Sequence, residues 1–391
     1  MPDPRQDDAQ NSRIHVLGEP GRGKLFMTTF IESCVETVTD SAKLVERTSR
    51  TRPRAARLLR ILRDKRDVLV TTHLHPDPDA LASCYAMATL LRARLPEARV
   101  TVAVKGKIGG GYNTAFQTET DMRLEPWDDE HLHDYDAVIL LDVQPGLSFS
   151  PLPEDVPPIA VVDHHRTRGG KMRIPFHDVR TDVGATSSIM FSYLMDMEVD
   201  IPSDLAAALL FAIETDLAGA AGQPRDLDNM ALSSLTLLAD THRLYRMRHS
   251  PLPLSIYTAI RDALVNAMIY DEAMASHIEY IESQETPAVA ADFLLRYEHV
   301  QWVLVTAISG QNLVMSLRTH SDRITAAELM RKIIGRLGEG GGHRTKGGGS
   351  IRLATGSDTE VEQLRRKLLK RMLRALGVPT NTRGQRLVNE K

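Results

Sequence analysis

Three short apolar runs, each ending beside an acidic or histidine side chain, constrain the fold of this chain most strongly. Continuous runs rich in valine, isoleucine and leucine are typical of strands buried on both faces of a parallel sheet. The runs occupy residues 68–72, 136–142 and 159–163. Residues 80–95, which follow the first run, have the apolar spacing of a helix. Strands that alternate with helices predict an α/β fold with a doubly wound, mostly parallel sheet.

Side chains able to bind metal ions stand where these strands end. Loops at the carboxyl ends of strands are where ligands bind in open α/β sheets. Imidazole and carboxylate groups suit Mn²⁺ or Mg²⁺ better than a thiolate site would. Any one strand-end aspartate could instead cap a helix, but a repeated arrangement favours a metal site. The candidates are His73, Asp77, Asp79, Asp142, Asp163, His164, His165 and Asp216.

These positions resemble, in order and spacing, the four motifs of the DHH phosphoesterases. The motifs are His73-x-x-x-Asp77-x-Asp79, the strand-end Asp142, the triplet Asp163-His164-His165 and the later Asp216. Near the carboxyl end, Gly340-Gly-Gly-His343-Arg344 followed by Gly347-Gly-Gly349 is similar to the glycine-rich signature of the DHHA1 substrate domain. The resemblance covers residues 58–376 and includes oligoribonucleases, pAp phosphatases and the RecJ-like superfamily. Pro78 departs from the family pattern, where glycine or serine is common, and it stiffens the loop.

The resemblance implies two divalent cations, with Mn²⁺ preferred and Mg²⁺ as the alternative. Two such ions about 3.5–4 Å apart can neutralise a phosphoryl group and make hydroxide available near neutral pH. Asp163 is expected to orient the metal site, and His165 to face the scissile phosphate or the leaving oxygen. By the same resemblance, one ion is assigned to His73, Asp77 and Asp142, and the other to Asp79, Asp142, His164 and Asp216.

The glycine-rich segment is expected to form the opposite wall of the site. Gly341 and Gly342 would let the backbone approach a phosphate closely. His343 and Arg344 would then bind a terminal phosphate, and Arg318 resembles the family's second substrate arginine. The alternative is a plain glycine linker before residue 351.

The function that this resemblance implies is hydrolysis of short oligoribonucleotides, linear dinucleotides or pAp by a metal-activated hydroxide. Long single strands would need a groove with stacking aromatic residues, and the sequence contains no run of such residues. A cyclic-dinucleotide phosphodiesterase and a nucleotide sensor without hydrolysis remain alternatives. The inorganic pyrophosphatase of the same superfamily is disfavoured because its second domain lacks the signature at residues 340–343.

The chain is expected to divide into five parts. A helical connector that includes a helix over residues 256–282 would join two α/β domains, and hydroxyl groups in residues 184–188 would cap the helix that follows them. The predicted parts are an N-terminal extension of unknown role (residues 1–57), the DHH domain (58–222), the connector (223–285), the DHHA1 domain (286–378) and a tail (379–391).

Composition limits the partners and the location. The net charge of −3 argues against an all-over polyanion-binding surface. No apolar run approaches a membrane span, and two cysteines cannot form a disulfide framework, so we expect cytoplasmic residence and no membrane partner. A homodimer is expected only from the resemblance, because members of the family are often dimers. In the extension, residues 18–25 nearly fit a P-loop but have Leu25 where a hydroxyl is needed, and the arginines of residues 47–63 could attract phosphate.

Overall fold

The computed structural model describes residues 52–388 except 75, 107, 109–110, 148, 166–172, 218–223, 282, 284–285 and 343. The P-loop-like segment, the arginines before residue 52 and His343 lie outside the described residues. The described residues fall in one compact unit, Thr51–Lys391. No helix among them has the length and apolar character needed to cross a membrane.

The first lobe is built on a five-stranded parallel sheet in the order β2-β1-β3-β4-β5. The register places Leu69 beside Val138 and Leu141 beside Val162. All five residues of β3 are buried, as expected for a central strand covered on both faces. The strands are β1 (Asp67–Thr71), β2 (Arg99–Val102), β3 (Ala137–Leu141), β4 (Ala160–Asp163) and β5 (Phe176–Val179).

Helices cover this sheet, and the most buried of them lies directly after β1. Helix α2 packs on α4 and α5, and its apolar residues are buried on nearly every side. Burial of each large apolar side chain contributes about 1.5–3 kcal/mol, so this core fixes the strand ends that carry the candidate ligands. The helices are α1 (Arg52–Leu62), α2 (Pro78–Arg94), α3 (Gly111–Glu119), α4 (Thr186–Asp196), α5 (Ser203–Leu217), α6 (Asp226–Leu238), α7 (Thr241–Arg248) and α8 (Leu254–Val265).

The second lobe is a mixed seven-stranded sheet in the order β10-β11-β9-β8-β7-β6-β12. Only the β7 and β8 pair is parallel among these strands. Its core contains the buried Trp302, Leu317 and Met330. The strands are β6 (Met268–Tyr270), β7 (Ala273–Tyr280), β8 (Trp302–Ser309), β9 (Asn312–Thr319), β10 (Glu339–Gly342), β11 (Lys346–Arg352) and β12 (Gln385–Arg386), and the helices are α9 (Thr286–Leu294), α10 (Ala326–Ile334) and α11 (Asp358–Leu376).

The predicted helix over residues 256–282 is wrong in its second half. The helix ends at Val265, and the chain then forms the antiparallel pair β6 and β7. Asp271 makes the turn between them with φ of 59°, a left-handed conformation that aspartate tolerates better than most residues. Pairing with β8 stabilises β7 as a strand, and a helical reading of the local sequence misses that partner.

Candidate metal centre and substrate cleft

The carboxyl edge of the parallel sheet gathers the predicted ligands. Asp142 follows β3 directly, Asp163 is the last residue of β4, and His73 lies shortly after β1. These three strands are neighbours and run in the same direction, so their ends meet. The ends of these strands therefore position Asp142, Asp163 and His73 at one edge of the sheet.

Asp142 lies at the middle of this arrangement. One of its carboxylate oxygens is 3.6 Å from His73 Nε2, and the other is 3.6 Å from His164 Nε2 and from His165 Nδ1. The Thr186 hydroxyl donates a hydrogen bond to the same carboxylate at 2.8 Å. Burial alone would raise the pKa of Asp142, but the hydrogen bond from His73 and the three nearby imidazoles hold it well below its usual range.

The backbone of Asp142 is strained. Its φ is 58°, in the left-handed region that a non-glycine residue seldom adopts. Such a conformation costs about 1–2 kcal/mol and persists where the surroundings enforce it. The Asp142 N–H still donates to the Val162 carbonyl at 2.9 Å, which ties the residue to β4. In this conformation the carboxylate lies beside the imidazoles at the sheet edge.

Asp79 is almost fully buried. Its two oxygens accept the backbone N–H groups of Thr186 and Ser187, each at 2.8 Å, in the first turn of α4. Burial, together with the charges of Asp142 and Asp216, raises the pKa of Asp79. Hydroxyl groups of residues 184–188 were expected to cap this helix. Instead, the Asp79 carboxylate, from α2, accepts hydrogen bonds from the N–H groups at the start of α4.

Asp77 has a structural role that is compatible with metal binding. Its Oδ1 accepts the Ala80 N–H at 3.0 Å and caps helix α2, while Pro78 occupies the first helical position. The cap uses one carboxylate oxygen, so the other is available for a cation. Pro78, the departure from the family pattern, therefore fits the local geometry.

Asp216 reaches the centre from the last turn of α5. Its carboxylate is 3.5 Å from His164 Nε2. Burial raises the pKa of Asp216 to about 6, with the charges of Asp77 and Asp142 adding to the effect and His164 opposing it. Three overlapping groups can each hold an ion, with donor atoms within 4.8 Å of one another: Asp142, His164 and His165; His73, Asp77 and Asp142; and Asp79, His164 and Asp216.

Asp163 and His165 form a separate hydrogen-bonded unit beside the ligands. Asp163 Oδ1 lies 2.8 Å from His165 Nδ1, and it also accepts the His165 N–H at 3.0 Å. Burial would lower the pKa of His165, but the hydrogen bond to Asp163 and the Asp142 charge raise it to about 10. Gln144, which the sequence analysis did not single out, donates to Asp163 Oδ2 at 2.8 Å and to the His165 carbonyl at 3.0 Å.

The glycine-rich segment forms the opposite wall of one cleft. A cavity of about 980 Å³ is lined by Asp142, His164, His165 and Asp216 and also by second-lobe residues. Three of those second-lobe residues are Gly341, Gly342 and Arg344, which the sequence analysis expects to contact substrate. Arg225 and Arg331 also line the cavity and were missed by sequence reasoning. The structure thus joins the candidate metal centre to a wall that carries arginines.

The glycines are part of a β-hairpin, so the alternative of a plain glycine linker does not hold for the described residues of this segment. Strand β10 pairs with β11, and Gly342 lies opposite Gly347. Gly342 has φ of 142°, and a Cβ there would lie 2.2 Å from the Lys346 carbonyl oxygen. A Cβ at Gly340 would lie 2.3 Å from Ile334 Cδ1. Glycine is therefore required for the hairpin to close and to pack on α10.

Arg318 is placed differently from the other predicted substrate residues. It is buried, its Nε donates to Asp292 Oδ1 at 2.6 Å, and it is not among the described residues that line the cleft. Its strand neighbour Lys346 was not predicted. The Lys346 Nζ donates to the Thr215 carbonyl at 2.8 Å, beside Asp216, and burial lowers the pKa of Lys346. Lys346 thus connects the hairpin to the helix that carries a candidate ligand.

The segment that contains most of these motifs matches a known protein family. Residues 67–213 match the model of the DHH family, N-terminal domain. The matched segment contains every predicted metal ligand except Asp216. Residues 67–213 are a DHH domain. The predicted resemblance to the DHH family is confirmed for this segment.

Relatives match this chain over different lengths. The uncharacterized protein MJ1633 of Methanocaldococcus jannaschii is 28% identical over 313 residues, 80% of this chain and 63% of the relative. A Lactobacillus johnsonii protein named “Probable manganese-dependent inorganic pyrophosphatase” is 35% identical over 109 residues, 27% of this chain and 35% of the relative. The chain therefore spans less than two thirds of the length of these relatives.

Two solved structures share the fold of this chain. An exopolyphosphatase-related protein from Bacteroides fragilis aligns with a TM-score of 0.66 at 17% identity, over 83% of this chain and 97% of that chain. RecJ from Thermus thermophilus in complex with Mn²⁺ aligns with a TM-score of 0.50 at 16% identity, over 84% of this chain and 55% of that chain. The predicted α/β architecture with a second sheet domain is confirmed.

The donor set of the DHH domain fits divalent cations. The three ligand groups contain only imidazole nitrogens and carboxylate oxygens, which suit Mn²⁺ and Mg²⁺. Hydrogen bonds from Thr186, Ser187 and Ala80 orient the carboxylates, as metal ligands generally require. The prediction of divalent metal cofactors is confirmed.

Proposed function

We propose that the chain is a metal-dependent phosphoesterase that hydrolyses short oligoribonucleotides, linear dinucleotides or pAp. One observation carries the proposal: a single cavity of about 980 Å³ has the DHH metal centre on one side and the glycine hairpin with Arg344 on the other. This volume lies at the upper end of the range for small-molecule sites and accommodates a nucleotide. The second lobe would then act as the DHHA1 substrate domain.

The ligand assignment follows the side-chain geometry. Asp142 lies within reach of both clusters and would be shared between two ions, with His73 and Asp77 on one side. Asp79, His164 and Asp216 would complete the other side. When bound, divalent ions polarise the phosphoryl group and lower the pKa of a water molecule toward neutrality.

His165 is proposed to protonate the leaving oxygen. Asp163 lies at the Nδ1 side of the ring, and the proposed donor to the leaving oxygen is Nε2. The hydrogen bonds from Gln144 to Asp163 and to the His165 carbonyl fix this pair. A general acid held in this way contributes about 10²–10⁴-fold to rate.

The phosphates of the substrate are proposed to contact the arginine-bearing wall. Gly341 has no atom within 4 Å of the position of a Cβ, so its backbone is open to an incoming group. Arg344 is exposed beside it and bridges to Asp322 at 2.6 Å, a pair that a bound phosphate would replace. Arg225 and Arg331 supply further positive charge around the cleft.

The test is product release with Mn²⁺ from pAp, linear and cyclic dinucleotides, a five-nucleotide RNA and pyrophosphate. Asp142→Asn is expected to lower turnover at least a thousandfold, because it removes the shared ligand. Asp64→Asn, an exposed change before β1 at the opposite edge of the sheet, is the matched control and should retain activity. Circular dichroism of both variants separates loss of the site from loss of the fold.

The panel also separates the alternatives. Pyrophosphate hydrolysis is a specific competitor, since a relative that matches 27% of this chain is named a manganese-dependent inorganic pyrophosphatase. Faster turnover of pyrophosphate than of any nucleotide would replace the proposal by a pyrophosphatase, and preference for cyclic dinucleotides would replace it by a cyclic-dinucleotide phosphodiesterase. Tight nucleotide binding with no turnover of any compound would indicate a sensor.

A further inference from the structure

An apolar patch borders the candidate metal centre. It consists of Val143, Leu147 and Phe149, which follow Asp142 in the chain and line the cleft. Phe149 is 45% exposed. Among the exposed large apolar side chains of the described residues, only Phe149 lines the cleft. Isolated exposed apolar residues are common on protein surfaces, but an exposed ring inside a small-molecule cleft can contact a ligand.

Backbone hydrogen bonds hold Phe149 beside the candidate ligand His73. The Phe149 carbonyl accepts the Leu74 N–H at 2.9 Å. Two residues earlier, the Leu147 carbonyl accepts the Ser150 N–H, also at 2.9 Å. The Phe149 and His73 rings meet edge to face, with their centroids 6.4 Å apart and their planes at 88°. The ring is thus held in a fixed place beside the metal centre, which reduces the ordering cost of a ligand contact.

The cleft therefore offers two kinds of surface. Arg225, Arg331 and Arg344 supply positive charge for phosphate groups, whereas the apolar patch contains no hydrogen-bonding side chain. A phosphate bound at the candidate metal centre would bring the group attached to it toward the apolar patch. The oxygens of pyrophosphate gain nothing from an aromatic ring, but every nucleobase has a π-face that can stack on one. The chemistry of the patch therefore favours a nucleotide over an inorganic phosphate.

We propose that Phe149 is a specificity-determining residue that stacks on a nucleobase of the substrate. The inference rests on the proposed function and selects nucleotides over inorganic phosphates as its substrate class. One exposed ring serves one base, which fits pAp or the end of a short oligonucleotide. A long single strand would need a succession of such rings.

The experiment compares pAp with its abasic analogue, in which hydrogen replaces adenine on the sugar, so that the two compounds differ only in the base. Steady-state kinetics with Mn²⁺ are measured for the parent, Phe149→Ala and Phe149→Trp. Because an aromatic ring strengthens the binding of a stacked base, Phe149→Ala should raise KM for pAp about tenfold and leave KM for the analogue within about twofold. The kcat values should change little. Phe149→Trp keeps a stacking surface and should keep KM for pAp within about threefold of the parent.

The matched control is Phe293→Ala. Phe293 is also 45% exposed, but it lies on α9 and stands outside the described lining of the cleft. Its substitution should alter neither KM nor kcat. Circular dichroism and thermal unfolding of every variant separate loss of a base contact from loss of the fold.

The remaining outcomes decide against the base contact or against hydrolysis. An equal rise in KM for both compounds in Phe149→Ala would overturn the inference, because the ring would then support His73 and not a base. Unchanged KM for pAp, or the same loss in the control, would overturn it as well. Turnover of both compounds by the parent with no preference for pAp would overturn the base contact alone.

Calorimetric titration of both compounds in EDTA measures binding apart from turnover. Suppose that the parent hydrolyses neither compound but binds pAp more tightly than the analogue, and that Phe149→Ala loses this preference. The proposed function then fails and the base contact stands. Without such a preference in the titration, the base contact fails too.

Discussion

At the scale of single residues, the metal centre is ordered by hydrogen bonds from the protein. Asp79 accepts hydrogen bonds from two backbone N–H groups, and Asp142 accepts one from a hydroxyl group. Asp77 accepts one from a backbone N–H in the first turn of α2. Each carboxylate oxygen has two lone pairs, so these bonds leave acceptor capacity for a cation. The carboxylates are thus oriented before a cation binds, which reduces the ordering cost of binding.

Gln144 offers a residue-scale test of the Asp163 and His165 unit. Gln144→Leu removes the two hydrogen bonds that hold Asp163 and the His165 backbone, and it leaves one buried carboxylate oxygen without that donor. We expect kcat to fall about 10–100-fold with KM nearly unchanged, the usual size of effect for residues that orient a metal site.

Steady-state kinetics on the best substrate of the panel checks this expectation. Gln363→Leu, an exposed change on α11, is the control and should alter neither constant. A rise in KM with kcat retained would contradict a positioning role for Gln144 and place it in substrate binding.

The sequence identifies the candidate metal ligands but not the residues that support them or line the cleft. The difference has a physical reason. The ligands follow buried strands, and the carboxyl ends of parallel strands share one edge, so local patterns bring Asp142 and His164 together. Gln144, Arg225 and Lys346 owe their positions to contacts between distant segments. A glutamine or lysine in isolation is most often a solvated surface residue, and the sequence contains no signal that distinguishes these three.

At the scale of elements, the second lobe shows where a local reading fails. The segment after Val265 carries alanine and methionine, which favour helices, yet it forms β6 and β7 because β8 offers a paired edge. Strand β5 was also missed, since His177 and Asp178 interrupt its apolar pattern. The Asp178 carboxylate is satisfied by Arg180 and by Tyr193. All three strands are stabilised by pairing with neighbouring strands.

Lys346 connects two of these elements and can be tested at this scale. Lys346→Met removes the hydrogen bond from β11 to the Thr215 carbonyl on α5 and keeps most of the side-chain volume. We expect KM for a short substrate to rise about tenfold, because the hairpin wall loses this anchor. Mn²⁺ affinity should not fall, because the substitution also removes a positive charge beside Asp216.

Steady-state kinetics and calorimetric Mn²⁺ titration measure the two effects of Lys346→Met. Arg352→Met, an exposed change at the other end of the same strand, serves as the control. Weaker Mn²⁺ binding with KM unchanged would contradict the role as an anchor and would make Lys346 a support of the metal ligand.

At the scale of the whole molecule, the cleft is completed only when both lobes are folded together. The candidate metal ligands lie on the first lobe, and the glycine hairpin lies on the second. Buried carboxylates near one another, Asp79, Asp142 and Asp216, repel when ionised, so the metal-free fold bears an electrostatic cost. Bound divalent cations would relieve this repulsion, which couples cofactor binding to the stability of the chain.

Thermal unfolding with and without Mn²⁺ should therefore depend on pH. In the metal-free protein the pKa of Asp216 is raised to about 6, so stability falls as the pH rises from the ordinary carboxyl pKa through about 6. The pKa of His73 is also raised, against the effect of burial, by its hydrogen bond to Asp142 and the Asp142 charge, so protons compete with cations there at low pH. Mn²⁺ should raise Tm more at pH 7.5 than at pH 5. At one hundred times the dissociation constant, binding adds about 2.7 kcal/mol to the free energy of unfolding. Scanning calorimetry at both pH values measures the change in Tm caused by Mn²⁺, and the Asp142→Asn variant should lose that change. An equal change in Tm in the variant, or at pH 5, would contradict cation binding by these ionised groups.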